Sequence, residues 1–145
     1  MMAVLTADAT ILFKGMAPDI KSYLVADNVK IFKGSIVCRD TAGYANIGAD
    51  TAAFVALGIA IEAADNTVPG HTAGGIRIRV GSGGHVLMPS TGLAQTNVGA
   101  PVNVADSGSV TLTGTNAVHV GRITEFVSAT AAWVFFATPG MSQGA

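Results

Sequence analysis

Glycine or proline interrupts this chain so often that a long helix has almost nowhere to form: eighteen glycines and five prolines are spread over 145 residues. Inside a helix glycine costs about 1 kcal/mol relative to alanine and proline about 3 kcal/mol, whereas both suit the turns between short strands. The runs between these breaks are apolar or alternating and rich in Val, Ile and Thr, the composition of strands. The chain therefore reads as all-β. No segment keeps helical periodicity with caps over several turns. Short helical exceptions are expected at Asp19–Leu24, where Asp19 can cap a turn, and at Leu93–Val98.

The clearest strand is Gly75–Val80. Ile76, Ile78 and Val80 point one way and Arg77 and Arg79 the other, a period of two with one wet face. Gly81–Ser82–Gly83–Gly84 supplies the positive-φ positions of a hairpin loop, and His85–Met88 is expected to return as its partner. Further strands are expected at Val29–Phe32, Ser35–Arg39, Phe54–Ile61 (whose alanines alone would also permit a helix), Pro101–Val104, Val110–Thr113, Val118–Thr124 and Ala132–Ala137. Turns are expected at Asp40–Gly43, Asp106–Gly108 and Ser128–Thr130. About eight to ten short strands must hide their edges, which predicts a compact β-barrel or β-sandwich around a single core. The expected organisation is an extended N-terminal arm over 1–15, the β domain over 16–138 and a tail over 139–145.

Charge is the compositional anomaly. Lys, Arg, Asp and Glu make up 12% of the chain, against about 25% in a typical soluble domain. The surface must then be largely Ala, Gly, Thr, Ser and Asn, which are cheaper to desolvate than Lys or Glu. Such a surface suits a chain that works packed against neighbours. The net charge of −1 and the scattered basic residues (Lys14, Lys21, Lys30, Lys33, Arg39, Arg77, Arg79 and Arg122) give no nucleic-acid footprint. The apolar runs Ala52–Ile61 and Phe126–Ala137 are shorter than the roughly 18–20 residues that span a bilayer. Met1–Val4 lacks the basic region of a signal peptide. The expectation is a chain made in a cytoplasm, with neither membrane nor nucleic acid as a partner.

Catalytic constellations are not found. His71, His85 and His119 have no metal-ligand spacing to one another or to Cys38, so no metal and no cofactor are expected. The lone Cys38 sits in an apolar run and reads as a small buried hydrophobe. The only glutamates are Glu62 and Glu125, and no cleft loops suggest that they work as an acid–base pair. Val80–Gly84 is neither a nucleophile elbow nor a phosphate loop, because no helix follows. Trp133 is expected in the core of the last strand. The chain is expected not to be an enzyme.

The arm is unusual for a terminal extension because Val4, Leu5, Ile11, Leu12 and Phe13 are apolar. Laid on a partner, such residues contribute about 25 cal/mol per Å² buried. Leu5, Ile11, Leu12, Phe13 and Lys14 are the candidate interface residues; the alternative for this segment is a first edge strand of the domain.

Several segments in order carry a family resemblance. Ile31–Val37 with Asp40 and Gly43–Tyr44, then Phe54–Ala60 with Asp65–Asn66, then Gly75–Gly83, resemble the capsid decoration, or cement, proteins of tailed-bacteriophage heads. Val98–Asp106, Val110–Thr113 and Val120–Ile123 resemble the same family's series of strands and turns. The resemblance spans about residues 29–137 and rests on turn glycines, aspartates and β-branched residues, not on a catalytic signature. It implies a structural protein on the outer capsid surface of a virion, made in the host bacterial cytoplasm. It further implies that the protein binds the major capsid protein and itself, as a trimer rather than a dimer. Another virion surface module, a minor coat protein or a receptor- or glycan-binding fibre domain, is the alternative.

Overall fold

The computed structural model describes residues 5–9, 11 and 19–137 in full and 13–14 as backbone; Leu12 and the tail over 139–145 lie outside the described residues. Within them the chain is nearly all-β, with thirteen strands and a single 3₁₀ turn, Gln95–Asn97, inside the expected Leu93–Val98 exception. A six-stranded antiparallel sheet runs in the spatial order β1 (Phe13–Lys14), β9 (His85–Pro89), β13 (Ala131–Phe136), β12 (His119–Ser128), β10 (Pro101–Asp106), β11 (Ser109–Thr111). A five-stranded antiparallel sheet runs β2 (Asp19–Leu24), β8 (Arg77–Ser82), β6 (Val55–Ala60), β4 (Ile36–Arg39), β5 (Ala45–Ile47). β3 (Lys30–Ile31) and β7 (Ala64–Asp65) form a small third sheet. No sheet closes into a barrel, so packed sheets are the form the all-β chain takes.

Two cores form where one was expected, because strands β4 and β6 of the five-stranded sheet are covered on both faces. Ile36, Cys38, Ala56 and Ile59 face the six-stranded sheet and pack with Val86, Val102, Val120, Ile123, Val134 and Phe136. Val37, Leu57 and Ala60 point the opposite way and pack with Val25, Ile31, Ala45, Ala64, Ile78 and Val80. This explains why β6 is apolar at both parities: a strand buried on both faces needs a continuous apolar run. Each fully buried Val or Ile contributes about 1.5–3 kcal/mol.

Two local expectations are corrected. Val80–Met88 is not a hairpin: β8 and β9 are joined by the tight Gly83–Gly84 turn but belong to different sheets. Gly83 has the expected positive φ of 78°, yet the chain uses it to cross between layers. Alternation and turn chemistry specify strand–turn–strand but not whether the strands pair. Asp19–Leu24 is a strand, not a helical turn, because β2 pairs along its whole length with β8, from Asp19↔Ser82 to Leu24↔Arg77. The inward Ile78 and Val80 and outward Arg77 and Arg79 are as expected.

The described part of the N-terminal segment lies along its own domain. The Leu5 N–H donates to Ser107 Oγ (3.1 Å) and the Ala9 N–H to the Lys33 carbonyl (2.8 Å), while Asp8 Oδ1 accepts the Lys33 N–H (3.0 Å). Gly34 permits this approach: with φ of +87°, a Cβ there would stand 2.9 Å from Ala9 Cβ. β1 then pairs with β9 (Phe13↔Val86, Lys14↔His85), making an edge strand of the six-stranded sheet.

Crowding is tightest at Gly121, where an added Cβ would fall 1.7 Å from the Phe135 carbonyl oxygen. Backbone cannot yield that distance cheaply, so Gly121→Ala should cost roughly 3 kcal/mol or more in urea unfolding. Arg77→Ala and Arg79→Ala, on an open face, should each cost no more than about 1 kcal/mol. Arginine variants as damaging as the glycine variant would show that the register of β8 is wrong.

Candidate docking face

The groups with catalytic potential are dispersed over the molecule. His71 Nδ1 meets Asp27 Oδ1 at 2.5 Å on a loop, the His85 ring meets Phe135 edge-on at 5.3 Å, and His119 Nε2 lies 3.0 Å from the Gly121 carbonyl oxygen. Glu62 accepts the Arg79 Nη2 (3.1 Å) and main-chain N–H (2.9 Å). The Arg79 side chain, more than the backbone bond, holds the Glu62 carboxyl below its usual range. Glu125 lies on the other sheet, opposite Trp133. Among the described residues no three His, Cys, Asp or Glu side chains converge as a metal site, and no helix is long and apolar enough to cross a membrane.

The feature that stands out is the outer face of the six-stranded sheet. In β13, Ala132, Val134 and Phe136 are buried, while Ala131, Trp133 and Phe135 point away from the core. Trp133 is thus on the outward face and half-buried, not in the core as expected. Every residue of Ala131–Phe136 is apolar, so alternation could not say which parity faces inward. Two cross-strand rows build the face. One runs Pro101, Arg122, Phe135, His85 and the other Glu125, Trp133, Leu87. Phe135 remains 38% exposed and Val127, at the end of β12, 50% exposed. Arg122 is held by donating Nη1 to the Gly99 carbonyl (2.9 Å). The result is a rigid aromatic and aliphatic strip with one cation and one carboxylate beside it. Rigid aromatic side chains lose little entropy on being covered, which is why they anchor interfaces.

The arm lies on the other, core-facing side of this sheet, where Ile11 packs against the larger core. Leu5 and Ile11 line an apolar groove of about 160 Å³ together with Ala9, Ile59, Val86 and Met88. The structure thus brings two of the predicted interface residues together, places Phe13 and Lys14 on the adjoining edge strand, and leaves Leu12 outside the described residues. Sequence reasoning missed Phe135 and Leu87; the signal for both was an apolar residue at each parity of its strand.

No family model matches the chain, and no curated protein matches it.

Cys38 faces the larger core and is fully buried. Burial pushes its thiol up from 9.0 to about 11, against a smaller opposing effect from the Ala49 backbone hydrogen bond. The neutral thiol is favoured by the fold, so its contribution is complete below the unfolded value and is lost as pH rises towards the folded one. Between pH 9 and 11 stability should therefore fall by roughly 2 kcal/mol, and Cys38→Ala should flatten that part of the profile. A native thiol that reacts freely with a thiol reagent at pH 8 would contradict this placement.

Proposed function

We propose that this chain is a non-catalytic structural protein of a virion, docking on the outer surface of a tailed-phage head and stabilising contacts between major capsid subunits. The observation that carries the reading is the outward strip of Trp133, Phe135 and Leu87 on a rigid sheet, in a chain with only 12% charged residues. Apolar side chains held in place by a ladder are ready to be covered at about 25 cal/mol per Å², and little charge must be desolvated with them. The ordered resemblance of residues 29–137 to decoration proteins supplies the identity of the surface they cover. The chain would bind the major capsid protein and copies of itself, with the arm residues Leu5, Ile11, Phe13 and Lys14 and the outward strip as contact regions. A lattice that repeats the site makes modest affinity per copy sufficient.

One observation favours a second reading. Trp133 and Phe135 lie on the same outward face, and aromatic side chains on one face of a sheet can also hold sugar rings, as in a receptor- or glycan-binding fibre domain.

The test is co-sedimentation with expanded phage heads. The wild-type chain should pellet with heads, and Phe135→Asp or Leu87→Lys should lower that binding at least tenfold while leaving the circular dichroism spectrum unchanged. Binding that ignores both changes would remove the outer face from the account. Retention on immobilised glycans without head binding would transfer the face to the second reading.

A further inference from the structure

β2 is an outer strand of the five-stranded sheet, and the phase of its ladder can be fixed. The Val25 N–H donates to the Ile76 carbonyl (3.0 Å), and on the far side of β8 the Ile61 N–H donates to the Arg79 carbonyl (3.2 Å). With the register of β2 on β8, the backbone groups of Asp19, Lys21 and Tyr23 turn toward β8. Those of Ile20, Ser22 and Leu24 turn away from it. At the Leu24 end the chain takes this edge itself: Val25 bridges Ala45, and the Ala26 N–H donates to the Ala45 carbonyl (2.9 Å). Among the described residues no strand pairs with Ile20 or Ser22 on that side. Ile20, at 52%, is the most exposed large hydrophobic residue described. Asp19 and Lys21 flank it and form an ion pair with each other.

A lone lysine on an edge strand blunts pairing with other chains. An aspartate two residues away changes its effect, because the pair is self-complementary in one register. We propose that β2 is a self-association edge, pairing antiparallel with β2 of a second copy about a two-fold axis at Ile20. Ile20 then faces Ile20 as a hydrogen-bonded pair exchanging two N–H···O=C bonds. On either side Asp19 faces Lys21 of the second copy at the positions where cross-strand side chains come closest, about 4.5 Å between Cα atoms. The four charges alternate in sign around the axis. Shifting the axis to Lys21 would set Lys21 against Lys21, and shifting it to Ser22 would require the edge at Leu24, which Ala45 occupies.

The charge pattern selects a second copy as the occupant, since β2 supplies both halves of the match. The contact is small beside the roughly 1,200–2,000 Å² of a stable interface, so it acts where copies are already held close together. Its pairing geometry is separate from the outer-face docking, and the crowding of copies that makes it effective rests on that reading.

Ile20→Cys tests the register, because the native thiol at Cys38 is buried. A hydrogen-bonded pair with Cα atoms about 5.5 Å apart lies within disulfide reach. Mild oxidation of the concentrated full chain should give a covalent dimer. Ser22→Cys should give none, its Cα atoms being roughly 13 Å apart in this register. Added to Ile20→Cys, either Asp19→Lys or Lys21→Asp should lower the cross-linking rate about tenfold, and the two together should restore it, with circular dichroism confirming that each variant is folded. No dimer from Ile20→Cys, equal cross-linking at positions 20 and 22, or indifference to the charge changes would each overturn the proposal. So would charge variants that lose binding to heads while Ile20→Cys stays monomeric, because the edge would then serve a different partner.

Discussion

Strands β4 and β6 carry apolar side chains on both faces, and each face is the floor of a separate core. Ile36, Cys38, Ala56 and Ile59 serve one core and Val37, Leu57 and Ala60 the other, so a charge at any of these positions would have to be buried. Removing an ion from water costs several kcal/mol even after relaxation. Strands β4 and β6, covered on both sides, therefore forbid charge at these positions, and the charged side chains of the strands stand where one face is open, as Arg77 and Arg79 do on β8. Polar groups that do enter are matched. Asn66 Nδ2 donates to the Ala26 and Thr72 carbonyls (2.9 and 2.8 Å), and Ser90 Oγ donates to the Val110 carbonyl (2.7 Å). Among the described residues no buried side-chain polar atom lacks a partner.

The central sheet does not account for the outer surface. The outward face of β13 could have carried lysine and threonine without loss to the cores, yet it carries Trp133 and Phe135. An apolar side chain where folding does not require one has an explanation in being covered by something else. The edge of β2 differs in kind: Ile20 is isolated between charges, which suits a contact that must be specific in register and not strong. Under the proposed role the two surfaces divide the work, one broad face for the shell and one narrow edge for a sister copy.

Much of the strand inventory was legible in the sequence because turn residues bracket it. Asp40 accepts the Ala42 and Tyr44 N–H groups (both 3.0 Å), and Asp106 accepts the Gly108 N–H (2.8 Å), so each aspartate builds the turn its position announced. The Ser128–Thr130 turn joins β12 and β13 as expected. What failed was assignment beyond the local. Gly83 makes a turn in a hairpin or in a crossover alike, and only the distant pairings of β8 with β2 and β9 with β13 decide between them. β2 was hidden because Asp-Ile-Lys-Ser-Tyr-Leu has polar residues at both parities. Of the candidate site, the arm was visible as misplaced apolar residues, whereas the outer strip was not. In an all-apolar strand the inward residues are chosen by the shape of the opposing core, which local sequence does not encode.

The claim on which the functional account rests is that the outer face of the six-stranded sheet is covered by a neighbouring subunit in the working assembly. A cryo-EM map of the decorated particle at side-chain resolution tests this most directly. The account predicts density for capsid protein packed on Trp133, Phe135 and Leu87. A particle on which that face is bare to solvent would contradict it.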